Sequence, residues 1–103
     1  MCGFAGVIST LLSDKEKRRI VSQMMPYIEN RGPDKQSIFK YKDTTIGFSR
    51  LSIRSLEDGN QPLFHESRGT VSVTNGEIYN YDYLRNKYFD YEWTTASDCE
   101  AIH

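Results

Sequence analysis

CGFAGVI, residues 2–8, is the run from which the rest of this chain can be laid out. It carries no charge, has glycine at positions 3 and 6, and reads as a buried strand that lets a neighbouring backbone come close. A buried strand here would put the amino-terminal end inside the structure. A few residues later Ser13 and Glu16 stand at capping-box spacing, and Ile20, Val21, Met24, Met25 and Ile28 recur on one helical face. A strand feeding directly into an amphipathic helix follows. Pro26 falls inside that pattern and should shorten or kink the helix, because its ring removes a hydrogen bond and clashes with the preceding turn.

Downstream of the helix, NRGPD at 30–34 is a loop, since Pro33 biases Gly32 away from helical backbone. Two strands are expected at Ser37 to Tyr41 and Thr45 to Ile53, separated by a polar corner at Lys42-Asp43. Arg54 to Arg68, with Asp58-Gly59-Asn60 and Pro62, reads as an irregular loop, and Thr70 to Thr74 as a strand ending at Asn75-Gly76. Tyr79 to Phe89, with Leu84 and Tyr88 at helical spacing, reads as a short amphipathic helix. Ser97 and Glu100 repeat the capping-box spacing, with Asp98 in the first turn where a helix dipole favours an acid. A helix that starts so close to His103 suggests the front part of something longer.

The 103 residues suit one domain of ordinary size. With 38% hydrophobic and 26% charged residues the chain has the composition of a folded protein, and no apolar run approaches the roughly 20 residues that span a bilayer. Thirteen Lys and Arg against 14 Asp and Glu leave a formal charge of -1 and no basic stripe for a phosphate backbone, so neither nucleic acid nor membrane is an expected partner. Residues 1–12 carry no Lys or Arg, unlike a secretory signal, and a cytoplasmic location is expected. Cys2 and Cys99 make neither a disulfide framework nor a metal-ligand spacing.

Four places could carry chemistry. Cys2, once Met1 is removed, would hold a thiol and a free α-amine on one residue; amines near 7.7–8.0 and thiols near 8.5 exchange a proton at small cost. The plain alternatives are a buried apolar cysteine or an S-acylated one. Asn75-Gly76 is either a hairpin turn or an oxyanion hole, made from an amide side chain and an unobstructed glycine N–H. Arg50, set in an apolar strand, either forms a structural ion pair or grips a carboxylate, and Asp98 either caps a helix or pairs with an ammonium group. Neither His65, in a loop, nor His103, at the end, has an evident role.

Taken jointly, MCGFAGV (1–7), RGPD (31–34), RLSI (50–53), QPL (61–63), NGEIYN (75–80) and SDCE (97–100) resemble, in order and spacing, the class II glutamine amidotransferase domain of glutamine-hydrolysing asparagine synthetases. The resemblance covers the whole chain. It implies an α+β fold of the N-terminal-nucleophile hydrolase type, with stacked antiparallel sheets between helical layers, of which this chain would hold an incomplete part. It implies L-glutamine as substrate, Cys2 as nucleophile, and Asn75 with Gly76 as the oxyanion hole. Arg50 would bind the α-carboxylate and Asp98 the α-ammonium, while Ile53 and Glu77 would line the pocket.

Two positions depart from the family pattern: Asn30 stands where His commonly precedes RGPD, and Phe48-Ser49 replaces a common His-x before RLSI. Neither is a nucleophile or oxyanion position. The resemblance assigns no cofactor or metal to this chain; ATP and Mg2+ belong to a synthetase domain that these residues do not include. Two alternatives within the resemblance are an inactive glutamine-binding remnant and an amidotransferase acting on surface-polysaccharide sugars. Half-built sheets would expose edges and apolar faces, so a marginally stable or self-associating chain is expected.

Overall fold

In the computed structural model, which describes residues 1–52 and 60–103, Ser13 caps helix α1 (Asp14–Met24) as its spacing predicts. The Ser13 hydroxyl accepts from the Glu16 N–H at 3.2 Å, and the Glu16 carboxylate accepts from the Ser13 N–H at 2.8 Å. A cap of this kind contributes about 1 kcal/mol. The α-helix stops two residues before Pro26, and Met25–Tyr27 continue as a single 3-10 turn. The residues fall into two compact units, Met1–Leu51 and Ser52–His103.

The first unit holds a three-stranded antiparallel sheet in the order β1 (Gly3–Ile8), β3 (Thr44–Arg50), β2 (Lys35–Tyr41). Its register pairs Gly3 with Ser49 and Ile8 with Thr44 on one side of β3, and Lys35 with Arg50 and Tyr41 with Thr44 on the other. The corner at Lys42-Asp43 forms as expected, with Lys42 at φ 51°. Helix α1 packs on β3 across Gly47, where an added Cβ would run into the Met25 sulfur and reach Val21 Cγ1 at 3.0 Å. Val21, Met25 and Phe48 form the buried apolar core of this unit.

Lys17 ties three pieces of that unit together. Its buried ammonium donates to the carbonyls of Ser9 at 3.1 Å and Asp43 at 3.0 Å, and lies 3.5 Å from the Asp14 carboxylate. The helix, the end of β1 and the β2–β3 corner therefore share one charge-assisted anchor.

The expectation of a fully buried first strand is corrected. Along β1 the exposure alternates, with Gly3 buried while Phe4 is 48% and Ile8 80% exposed, and Met1 is exposed too. The helix covers only one face of the strand, and residues on the other face remain apolar without being enclosed. The third strand ends at Arg50 instead of running to position 53. Ile53, Arg54 and Asp58-Gly59 lie outside the described residues.

The second unit holds a two-stranded antiparallel sheet of β4 (Leu63–His65) and β5 (Thr70–Ser72), with Leu63 paired to Ser72 and His65 to Thr70. Strand β4 lies within the span read as irregular loop. A 3-10 turn over Glu66–Arg68 joins the two strands, closed by Gly69 at φ 60°, a conformation open to glycine at little steric cost. Asn75-Gly76 is not the hairpin turn: β5 ends at Ser72 and the pair sits in a bend beyond it. Helix α2 (Tyr81–Lys87) is shorter than the 79–89 pattern. Tyr81, Tyr91 and Trp93 pack edge to face beside it, with the Arg85 guanidinium 5.3 Å from the Trp93 ring.

His65 and His103, set aside on sequence grounds, both have defined surroundings. His65 is buried on β4 with its ring 5.2 Å from that of Tyr91. The His103 ring nitrogens lie 3.2 Å from Thr70 Oγ1 and 3.0 Å from Ser72 Oγ, which holds the last residues against β5.

Candidate functional site

Cys2 sits at the mouth of β1, and two contacts fix it within the first unit. Its carbonyl accepts from Arg31 Nε at 3.2 Å, and its sulfur receives the Leu51 N–H at 3.4 Å while lying 3.6 Å from the Leu51 carbonyl. Arg50, the residue before Leu51, is 6% exposed at the end of β3 and has interactions of its own. The two candidates are brought to one place by the chain itself.

That place depends on the RGPD segment. Pro33 bridges to Arg50, and the Asp34 N–H donates to the Arg50 carbonyl at 3.0 Å. Gly32 presses so close to β3 that an added Cβ would overlap the Ser49 carbonyl. The motif thus works as a backbone clasp on the strand end that carries Arg50 and Leu51. In the sequence Arg31 is one letter of the RGPD motif, and its hold on the Cys2 carbonyl exists only in three dimensions.

In the second unit the structure groups Asn75, Gly76, Glu77 and Asp98. The Asp98 carboxylate accepts the Ile78 N–H through Oδ2 at 2.7 Å, and the Cys99 sulfur lies 3.8 Å from the Gly76 carbonyl. Upstream, the Gln61 side chain clamps Thr74 at both backbone groups, donating to its carbonyl at 3.0 Å and accepting its N–H. The Asn75–Glu77 bend is thereby held from both ends. Among the described residues an added Cβ at Gly76 would find only Thr74 Cγ2, at 4.0 Å. QPL has no reactive group to mark Gln61 as a site residue in the sequence, yet its amide anchors Thr74, the residue beside Asn75.

The second capping box is corrected. Ser97 does cap the 3-10 turn at Asp98–Ile102, its hydroxyl accepting from Cys99 N–H at 3.3 Å. Glu100 does not reach back to Ser97. Its carboxylate, 2% exposed, accepts from the N–H and hydroxyl of both Thr94 and Thr95, at 2.6 and 2.9 Å for Thr94 and 2.7 and 2.6 Å for Thr95. Two threonines in a row offer four donors, against the single N–H at Ser97, and burial rewards the fuller set.

Burial pushes the Glu100 carboxyl up, but the hydrogen bonds from Thr94 and Thr95 outweigh it and hold the group below the usual glutamate range. A carboxyl depressed on folding contributes stability above its unfolded pKa, about 4.3, and that contribution fades as pH falls through the lower folded value. Urea midpoints read from Trp93 fluorescence are therefore expected to fall on acidification from neutral pH to about pH 3, and Glu100→Gln is expected to flatten that dependence. An equally steep acid loss in the variant would assign it to other carboxylates, such as Asp14, which Lys40 holds down, or Glu16, held down by Ser13.

Among the described residues no three His, Cys, Asp or Glu side chains cluster as a metal site, and no helix is long and apolar enough to cross a membrane.

The chain combines helices with antiparallel sheets and belongs to the glutamine amidotransferase domain family, whose pattern it matches over residues 1–103. Among individual proteins it is similar to asparagine synthetase [glutamine-hydrolyzing] 2 of Arabidopsis thaliana, 34% identical over 102 residues, which is 99% of this chain and 18% of that protein. It is 35% identical over 102 residues to the asparagine synthetase [glutamine-hydrolyzing] of Asparagus officinalis, covering 99% of this chain and 17% of that one. The asparagine synthetase [glutamine-hydrolyzing] 1 of Bacillus subtilis is 39% identical over 106 residues, again 99% of this chain and 17% of the relative. The chain thus spans less than a fifth of the length of the curated relatives it matches.

Proposed function

We propose that these residues hydrolyse L-glutamine to glutamate and ammonia, serving ATP-dependent asparagine synthesis in a longer protein through a synthetase domain. The observation that carries this is the setting of Cys2, the first residue once Met1 is lost, with its sulfur receiving the Leu51 N–H in a chain that belongs to the glutamine amidotransferase family.

The Cys2 α-amine takes the thiol proton, and the sulfur bonds to the side-chain amide carbon of glutamine. Asn75 and the Gly76 N–H receive the oxyanion so formed. The carbon–nitrogen bond then breaks, the Cys2 ammonium returns its proton to the departing nitrogen, and ammonia leaves a γ-glutamyl thioester. Water adds to the thioester, sulfur departs, and glutamate is released.

Arg50 meets the substrate's α-carboxylate and Asp98 its α-ammonium, so the two charged ends of the amino acid are matched by opposite charges. Glu77 lines the pocket. The lack of crowding at Gly76 among the described residues supports this reading, because it leaves the glycine N–H open to an oxyanion. The chain takes, in this reading, the N-terminal-nucleophile hydrolase fold, and the protein works in the cytoplasm.

Intact-mass spectrometry tests the proposal, with the protein at its natural length treated with a diazo-ketone analogue of glutamine. Loss of Met1 and one adduct, mapped to Cys2 and suppressed by glutamine, is expected. An unmodified Cys2 together with no glutamate release from glutamine would overturn the proposal.

A further inference from the structure

We propose that Glu100 is a positioning residue for the ammonium-binding carboxylate of Asp98, setting the preference for a substrate that carries an α-amino group. The inference rests on the glutaminase reading and deepens it.

The segment from Thr94 to Ser97 forms no helix or strand, so some other interaction must fix the turn on which Asp98 sits. Glu100 supplies it. One carboxylate oxygen takes the N–H and hydroxyl of Thr94, the other those of Thr95, and the Thr95 hydroxyl in turn accepts the Ser97 N–H at 3.1 Å. Ser97 then caps the turn at Cys99. The chain of contacts closes on the candidate site, because Asp98 takes the Ile78 N–H and Cys99 lies against the Gly76 carbonyl. A buried carboxylate is costly unless every donor around it is well placed, so this arrangement tolerates little drift. A displacement of Asp98 by a fraction of an ångström would weaken its grip on an ammonium group while leaving the sulfur of Cys2 unaffected.

A glutamine analogue without the α-amino group, 4-carbamoylbutanoate, separates this role from a merely structural one. The natural-length enzyme is expected to prefer glutamine strongly, and Asp98→Asn to lose that preference. Glu100→Gln keeps the shape but turns an NH2 toward a Thr N–H; it is expected to raise KM for glutamine between about 10- and 100-fold, with kcat nearly constant and kcat/KM for the analogue unchanged. Thr95→Val, which breaks the link to Ser97, is expected to do the same, and Thr95→Ser to restore the parent behaviour. These two report on the network even if Glu100→Gln does not fold.

Equal losses on both substrates in Glu100→Gln or Thr95→Val, or an undiminished preference for glutamine, would overturn the positioning role alone. An Asp98→Asn enzyme that still prefers glutamine would overturn it together with the assignment of Asp98.

Discussion

Cys2→Ala is expected to lower glutamine hydrolysis by roughly 10⁴-fold or more, with glutamine binding retained. The substitution removes one sulfur atom and little else. The Cys2 carbonyl keeps its bond to Arg31, β1 keeps its register with β3 from Gly3 to Ile8, and the Leu51 N–H loses only a weak acceptor. Arg50 and Asp98, which recognise the charged ends of the substrate in the proposed reading, are untouched. Rate and binding should therefore separate, and glutamate release measured beside calorimetric titration with glutamine checks both. Undiminished release would remove Cys2 from the reaction. Lost binding with a normal melting curve would instead assign the sulfur a part in holding substrate.

Gly32→Ala should cost about 3 kcal/mol or more of stability, because the new methyl group has nowhere to go. Its Cβ would overlap the Ser49 carbonyl and the Arg50 carbonyl carbon, backbone atoms at the end of β3, where Ser49 is paired on both sides and Arg50 with β2. Relief requires β3 to shift, and that breaks the Pro33–Arg50 bridge and the Asp34 to Arg50 hydrogen bond. The damage lands at the strand end that carries Arg50 and the partner of the Cys2 sulfur. Chemical denaturation of Gly32→Ala beside Gly76→Ala makes the comparison internal. Alanine at 76 meets no atom of the described residues nearer than 4.0 Å and is expected to change stability by less than about 1 kcal/mol. A Gly32→Ala protein as stable as its parent would show that the clasp yields.

The same sequence signal had two outcomes in this chain. Ser-x-x-Glu at 13–16 forms a complete capping box, because the carboxylate is at the surface and the Ser13 N–H is the donor within reach. At 97–100 the spacing is identical and only the serine half forms. Glu100 is buried beside two threonines, and their four donors satisfy a buried charge better than one backbone N–H. Local spacing describes what a side chain can reach; competition among donors decides what it takes. Strand β1 illustrates a second limit. Its outward residues, Phe4 and Ile8, are as apolar as its inward ones, so the alternation that marks a half-covered strand is hidden. Strand β4 is three residues long, too short to show a period, and exists through its pairing with β5.

By itself the sequence determined the first helix and its termination before Pro26, the corner at Lys42-Asp43, strands β2 and β3 of the first sheet and the family, since each rests on residues close together or on motifs in order. The tertiary structure alone decided that RGPD is a clasp on β3, that Arg31 and Leu51 hold Cys2, and that Gln61 and Glu100 hold the segments bearing Asn75 and Asp98. Those are contacts between residues up to 49 positions apart, as Cys2 and Leu51 are, and they form only when the folded backbone brings a donor and an acceptor within hydrogen-bonding distance of each other.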